Sequence, residues 1–120
     1  MDEHKLFALC RDGEVLMVVL PDTAITFDDE TIQDEAQAVI EQLNEPGVAH
    51  LILDFGHCPY FGSILIGQVI RFHNAVNAKK GQFVICNLSK EAHMLLETSH
   101  LLSLWTVVDS REEALALLNS

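Results

Sequence analysis

The run Val15-Leu16-Met17-Val18-Val19-Leu20 contains no polar residue. A strand with one wet face alternates polar and apolar side chains, so this strand expects cover on both faces. The flanking sequence supplies its neighbours. Leu6 to Cys10 reads as a preceding strand. Arg11-Asp12-Gly13-Glu14 reads as the turn between the two, because Asp-Gly is a strong hairpin signal. Leu51 to Phe55, Gln82 to Asn87 and Trp105 to Val108 are further strands.

Helical patterns lie between them. From Asp29 to Leu43 the apolar residues Ile32, Ala36, Val39, Ile40 and Leu43 share one face. Acids crowd its start, where the helix dipole favours them, and Asn44-Glu45-Pro46-Gly47 stops it. A second helix runs from Ser63 to Asn77. Its stretch Ile64 to Ile70 is apolar on most sides and predicts deep packing. Gly67 costs this helix roughly 1 kcal/mol against alanine and is expected to permit close approach to the sheet. Lys79-Lys80-Gly81 is a turn. Ser89 caps a short helix ending at Thr98. Ser110-Arg111-Glu112-Glu113 is a capping box opening a last helix. The order β-β-α-β-α-β-α-β-α predicts an α/β fold, a mixed central sheet of about five strands with about four helices. Short connections favour right-handed crossovers.

Size and composition narrow the function. The 120 residues suit one domain spanning 1–120, and 49% are apolar, enough for a core without disulfides. Three cysteines, Cys10, Cys58 and Cys86, form no CxxC pair, which argues against a disulfide framework and a zinc site. Cys10 and Cys86 sit in strand-like runs and read as small core residues. The pattern suits a reducing compartment. Met1-Asp2-Glu3-His4-Lys5 has no apolar leader core, and no run is long enough to span a membrane. The expected location is the cytoplasm, without membrane insertion. Net charge is −11, from 7 basic and 18 acidic residues. Phosphate contacts need clustered Lys and Arg, so nucleic acid is not an expected partner.

No catalytic set, metal site or cofactor cradle is visible in the sequence. Gly-rich phosphate loops, GxSxG and HExxH are absent, and the six histidines do not pair at ligand spacing. His57-Cys58 lacks a third ligand and reads as ordinary loop. Asp54 ends a strand at the edge where α/β ligand sites commonly lie, yet no second carboxylate follows, so a turn or cap role is preferred. The segment Cys58-Pro59-Tyr60-Phe61-Gly62-Ser63-Ile64-Leu65 leaves a strand and enters a helix. Ser63 is an N-cap candidate, and a phosphate there would be stabilised by the helix N-terminus. Tyr60 and Phe61 are either partner anchors or core plugs.

The order of these elements resembles the STAS family of bacterial anti-sigma factor antagonists, whose domain also occurs at the C-termini of sulfate transporters. The resemblance covers almost the whole chain. It rests on Gly13 to Leu20, on Leu51-Ile52-Leu53-Asp54-Phe55, on Phe61-Gly62-Ser63 to Gly67, and on Gly81 to Ser89. Leu95 to Leu101 and Val107 to Leu115 continue it. It implies a regulatory module that docks on a kinase-fold anti-sigma factor, a serine kinase able to phosphorylate the antagonist where this helix begins. The family motif there reads Asp-Ser-Ser-Gly-Leu-Gly, or has Thr at the second hydroxyl. This chain reads Gly62-Ser63-Ile64-Leu65-Ile66-Gly67. Ile64 takes the usual phosphoacceptor position and cannot accept a phosphoryl group. Ser63 is the remaining phosphoacceptor candidate, but one residue on a helix is a rotation of ~100°, which favours loss of the switch.

The expected function is therefore protein docking rather than catalysis. The expected contact residues are Pro59, Tyr60, Phe61, Gly62, Ser63, Ile64 and Gly67. A monomer or weak dimer is expected. The alternatives are an accessory subunit bracing a transport ATPase and a domain that senses a small ligand or nucleotide.

Overall fold

A computed structural model describes residues 7–20, 29–56, 63–101 and 103–118, with Asp29, Ser63 and Ile64 described by backbone alone. The chain opens with strands β1 (Ala8–Asp12) and β2 (Val15–Val19), which pair antiparallel with Asp12 opposite Val15. Gly13 and Glu14 link them, and Gly13 has φ of 62°, the left-handed region a tight hairpin turn needs. The turn is shorter than the four residues expected, since Arg11 and Asp12 belong to β1. Strands β3 (His50–Asp54), β4 (Phe83–Cys86) and β5 (Thr106–Val108) follow in parallel, giving the order β1-β2-β3-β4-β5. The helices are α1 (Asp29–Leu43), α2 (Ser63–Ala78), α3 (Lys90–Thr98) and α4 (Arg111–Leu118). The mixed sheet of five strands with four helices matches the expected order.

Alternate residues of the central strands enter two separate cores. Leu16, Val18, Leu51, Leu53, Phe83 and Ile85 face α1, α2 and α3. Val15, Met17, Ile52, Val84 and Cys86 face α4. Three helices on one side are what right-handed crossovers between strands in sequential order produce. Both faces of β2, β3 and β4 are thus covered, as their unbroken apolar runs require.

Two expectations need correction. Cys10 is exposed, not a core residue. It lies opposite Met17 on the edge strand, on the sheet face that α4 covers only further in. Cys86 is buried as expected. Helix α2 is not enclosed on most sides. It buries Leu65, Gln68, Val69, Phe72 and Val76, while Ile70 stays exposed. The apolar run Ile64 to Ile70 exceeds what one helix face can bury.

The caps follow the sequence with one change. The Ala92 N–H donates to Ser89 Oγ at 3.0 Å. The Glu113 N–H donates to Ser110 Oγ at 3.1 Å. Glu113 returns the contact to the Asp109 N–H at 3.1 Å, one residue earlier than a capping box places it. Helix α2 ends in a Schellman turn. The Gly81 N–H donates to the Val76 carbonyl and the Lys80 N–H to the Asn77 carbonyl, each at 3.0 Å. Lys80, not Gly81, holds the left-handed position, with φ of 62°. Gly81 is required for another reason, because a Cβ there would lie 1.7 Å from the Ala49 carbonyl oxygen.

Adjacent residues of this turn should therefore respond in opposite directions. Gly81→Ala should cost about 3 kcal/mol or more in urea unfolding, since backbone must move to admit the methyl. Lys80→Gly should gain up to about 1 kcal/mol by relieving the left-handed strain.

Candidate functional site

The expected contact surface begins where α2 begins. Pro59, Tyr60, Phe61 and Gly62, together with His57 and Cys58, lie outside the described residues. Ser63 is the first helical residue of α2 rather than the residue before it. Positions 63, 67, 70 and 74 then fall on one stripe by helical spacing, opposite the buried stripe of Leu65, Val69, Phe72 and Val76. Position 64 lies a further ~100° round the helix.

Gly67 does not do what the sequence suggested. Among the described residues nothing lies within 4 Å of where its Cβ would be. The close approach expected at Gly67 occurs at Gly81 instead. Gly67 is half-buried, on the side of α2 away from the buried stripe, with Ile70 beside it at 37% exposure.

Polar contacts tie α2 and its C-terminal turn to α1 and the segment after it. Arg71 donates to Gln68 Oε1 and to Gln37 Oε1 of α1, each at 2.7 Å. Lys79 Nζ donates to the carbonyls of Leu43 and Val48, binding the open end of α1.

A second polar cluster stands at the C-terminal ends of β3 and β4. Asp54 is 5% exposed. Its Oδ1 accepts from the Gly56 N–H at 2.8 Å and from Asn87 Nδ2 at 2.9 Å. Its Oδ2 accepts from Arg111 at 2.8 Å. Asn87 holds φ of 62°, a conformation asparagine tolerates better than most residues. The turn role expected for Asp54 is present in the Gly56 contact. Burial raises the Asp54 pKa, but hydrogen bonds from Arg111, Asn87 and Gly56 outweigh it, and the carboxyl titrates below its ordinary value. Burial pushes the neighbouring Cys86 thiol up to about 12, leaving it inert as a nucleophile. Arg111 was missed by sequence reading. Its signal was a cation in the first turn of a helix, where the dipole disfavours it.

Among the described residues no group of three or more His, Cys, Asp or Glu could hold a metal ion. No helix there is long and apolar enough to cross a membrane.

Known proteins agree with this architecture. The STAS domain model matches residues 10–114. The chain belongs to the STAS domain family. Over 83 residues it is 26% identical to BtrV of Bordetella bronchiseptica, a protein named for an anti-sigma factor antagonist role. That match covers 69% of this chain and 72% of BtrV. A STAS domain protein from Planctomyces limnophilus superposes with a TM-score of 0.83 at 17% identity, over 95% of this chain and 98% of that one. Unphosphorylated SpoIIAA of Bacillus superposes at 0.78 with 18% identity, over 94% of this chain and 96% of that one. These two likenesses establish the fold.

The Asp54 cluster predicts an acid-labile contribution to stability. Because the folded pKa is below the unfolded one, the contribution is present above the unfolded pKa and is lost as pH falls through the folded value. Asp54→Asn should cost about 1–3 kcal/mol at neutral pH. In urea unfolding the gap to wild type should narrow as pH drops below about 4. A constant gap down to low pH would mean the carboxylate charge is not what the cluster holds.

Proposed function

We propose that this STAS protein is a non-catalytic docking module for an anti-sigma factor of the serine-kinase type. The contact runs through the loop Pro59, Tyr60, Phe61 and Gly62 and the first turns of α2, including Ser63, Ile64 and Gly67. Relatives named as anti-sigma factor antagonists support a protein partner of this kind. Gly67 carries the reading. A glycine within a helix costs about 1 kcal/mol against alanine. No neighbour among the described residues requires it, since its Cβ position is open. A partner that must approach the α2 backbone does require it. The exposed Ile70 on the same stripe adds an apolar contact. A net charge of −11 favours a partner whose surface is basic.

Ile64 stands at the position that normally accepts phosphate, so docking here is constitutive. Ser63 is then part of the contact and not a switch.

The reading is tested on Gly67. Gly67→Ala should stabilise the chain by about 0.5–1 kcal/mol in urea unfolding. It should also weaken binding to the kinase-type anti-sigma factor of the same genome by about tenfold in calorimetry, the worth of a steric fault at an interface centre. Gly67→Lys should fold and bind more weakly still. Unchanged affinity in both variants would remove this stripe from the interface. Failure of the wild-type chain to bind any such protein would remove the partner class. Incubation with that kinase and ATP should leave the mass unchanged. A phosphate on Ser63 would overturn constitutive docking, and one on Thr98 or Ser99 would move the regulated site away from α2.

A further inference from the structure

The two faces of the sheet are covered by different numbers of helices. On one side α1, α2 and α3 form a layer that encloses Val39, Leu43, Val69 and Phe72 completely, each at 0% exposure. On the other side α4 covers Val15, Met17, Ile52, Val84 and Cys86, none more than 8% exposed. Helix α4 is eight residues long and its fully buried residue is Ala114. Leu115 and Leu118 are half-buried, and Leu117 is 40% exposed.

Its polar contacts divide in the same way. Those of Ser110 and Glu113 close on the helix's own start. That of Arg111 reaches the sheet, at Asp54. A cation in that first turn opposes the helix dipole, so Arg111 weakens α4 as a helix while tying it down. A helix this short does not persist alone in water, so α4 unfolds once it leaves the sheet. The pairing of β2 with β3 and β3 with β4, and the three-helix layer, do not run through α4.

We propose that α4 is a releasable strap, which detaches and unfolds as one unit while the sheet and the three-helix layer stay folded. The Arg111–Asp54 pair is its clasp. Release uncovers a continuous apolar face of β2, β3 and β4. Units of low local stability are those from which regulatory motions are drawn.

The full chain carries its own reporters. Cys10 is exposed and Cys86 is 0% exposed. Native-state labelling with N-ethylmaleimide, resolved by peptide mass spectrometry, follows each thiol. Cys10 should label at the rate of a free thiol. Cys86 should label through an opening whose urea dependence is a small fraction of that of global unfolding. Arg111→Gln should speed Cys86 labelling about tenfold, as expected for a lost charge-assisted hydrogen bond. Val39→Ala, in the opposite core, should lower global stability yet leave Cys86 labelling unchanged, because its contacts persist when α4 opens. A Cys86 rate with the full urea dependence of global unfolding, or one accelerated by Val39→Ala as much as global unfolding is, would overturn the strap. An unchanged rate in Arg111→Gln would overturn the clasp.

Discussion

Strands β2, β3 and β4 are apolar on both faces, and their connections put every crossover helix on one side. These two facts conflict, and the rest of the structure resolves the conflict. α1, α2 and α3 fill one side and bury Leu16, Val18, Leu51, Leu53 and Ile85. The other side would expose Val15, Met17, Ile52, Val84 and Cys86 to water. Leaving such a face wet is unfavourable, at roughly 25 cal/mol per Å² of apolar surface. The chain therefore adds α4 after β5 and folds it back under the sheet. Asp54, at the end of β3, receives its first residue. One buried carboxylate thus joins the last helix to the central strand, and with Asn87 it also fixes the end of β4.

Gly67 and Gly81 illustrate how one residue type carries different information. Both lie at or beyond helical positions and neither has a positive φ. At Gly81 a Cβ would strike the Ala49 carbonyl, so the fold itself explains the glycine. At Gly67 a Cβ meets no neighbour among the described residues, so the described part of the fold does not. A residue that lowers helix stability without an internal reason points outward. Gly67 lies on the stripe opposite the core, on a helix tied to its neighbours by Arg71 and Lys79.

Most of the architecture was legible because local rules and the global fold agree. The two-sided runs named the parallel strands, Asp-Gly named the hairpin, and Ser89 and Ser110 marked helix starts that the structure retains. What was not legible depends on distance or on ordinary residues in unusual conformations. Arg111 and Asp54 are 57 positions apart, and nothing local links them. Lys80 and His100 take left-handed φ of 62° and 63° at helix ends, where glycine is the usual signal. Cys10 looked buried by residue type, but burial depended on how far along the sheet an eight-residue helix reaches. In the candidate site, residue identity was visible at Gly67 while its surroundings were not. Only the structure shows that the described residues leave its Cβ position open.

Helical register bears on how docking through α2 could ever be regulated. Position 63 shares the outer stripe with Gly67 and Ile70, while position 64 is turned from it by ~100°. A hydroxyl at 64 would lie on the flank of the proposed contact, where a phosphate can add charge at the edge and be accommodated or repelled. A charged group at 63 would stand in line with the bare backbone at Gly67 and obstruct approach directly. Isoleucine at 64 offers no hydroxyl to phosphorylate. On the docking proposal, regulation acts elsewhere than at Ile64. The sheet face under α4 offers such a place, because its exposure depends on a clasp at Asp54 and not on the chemistry of α2.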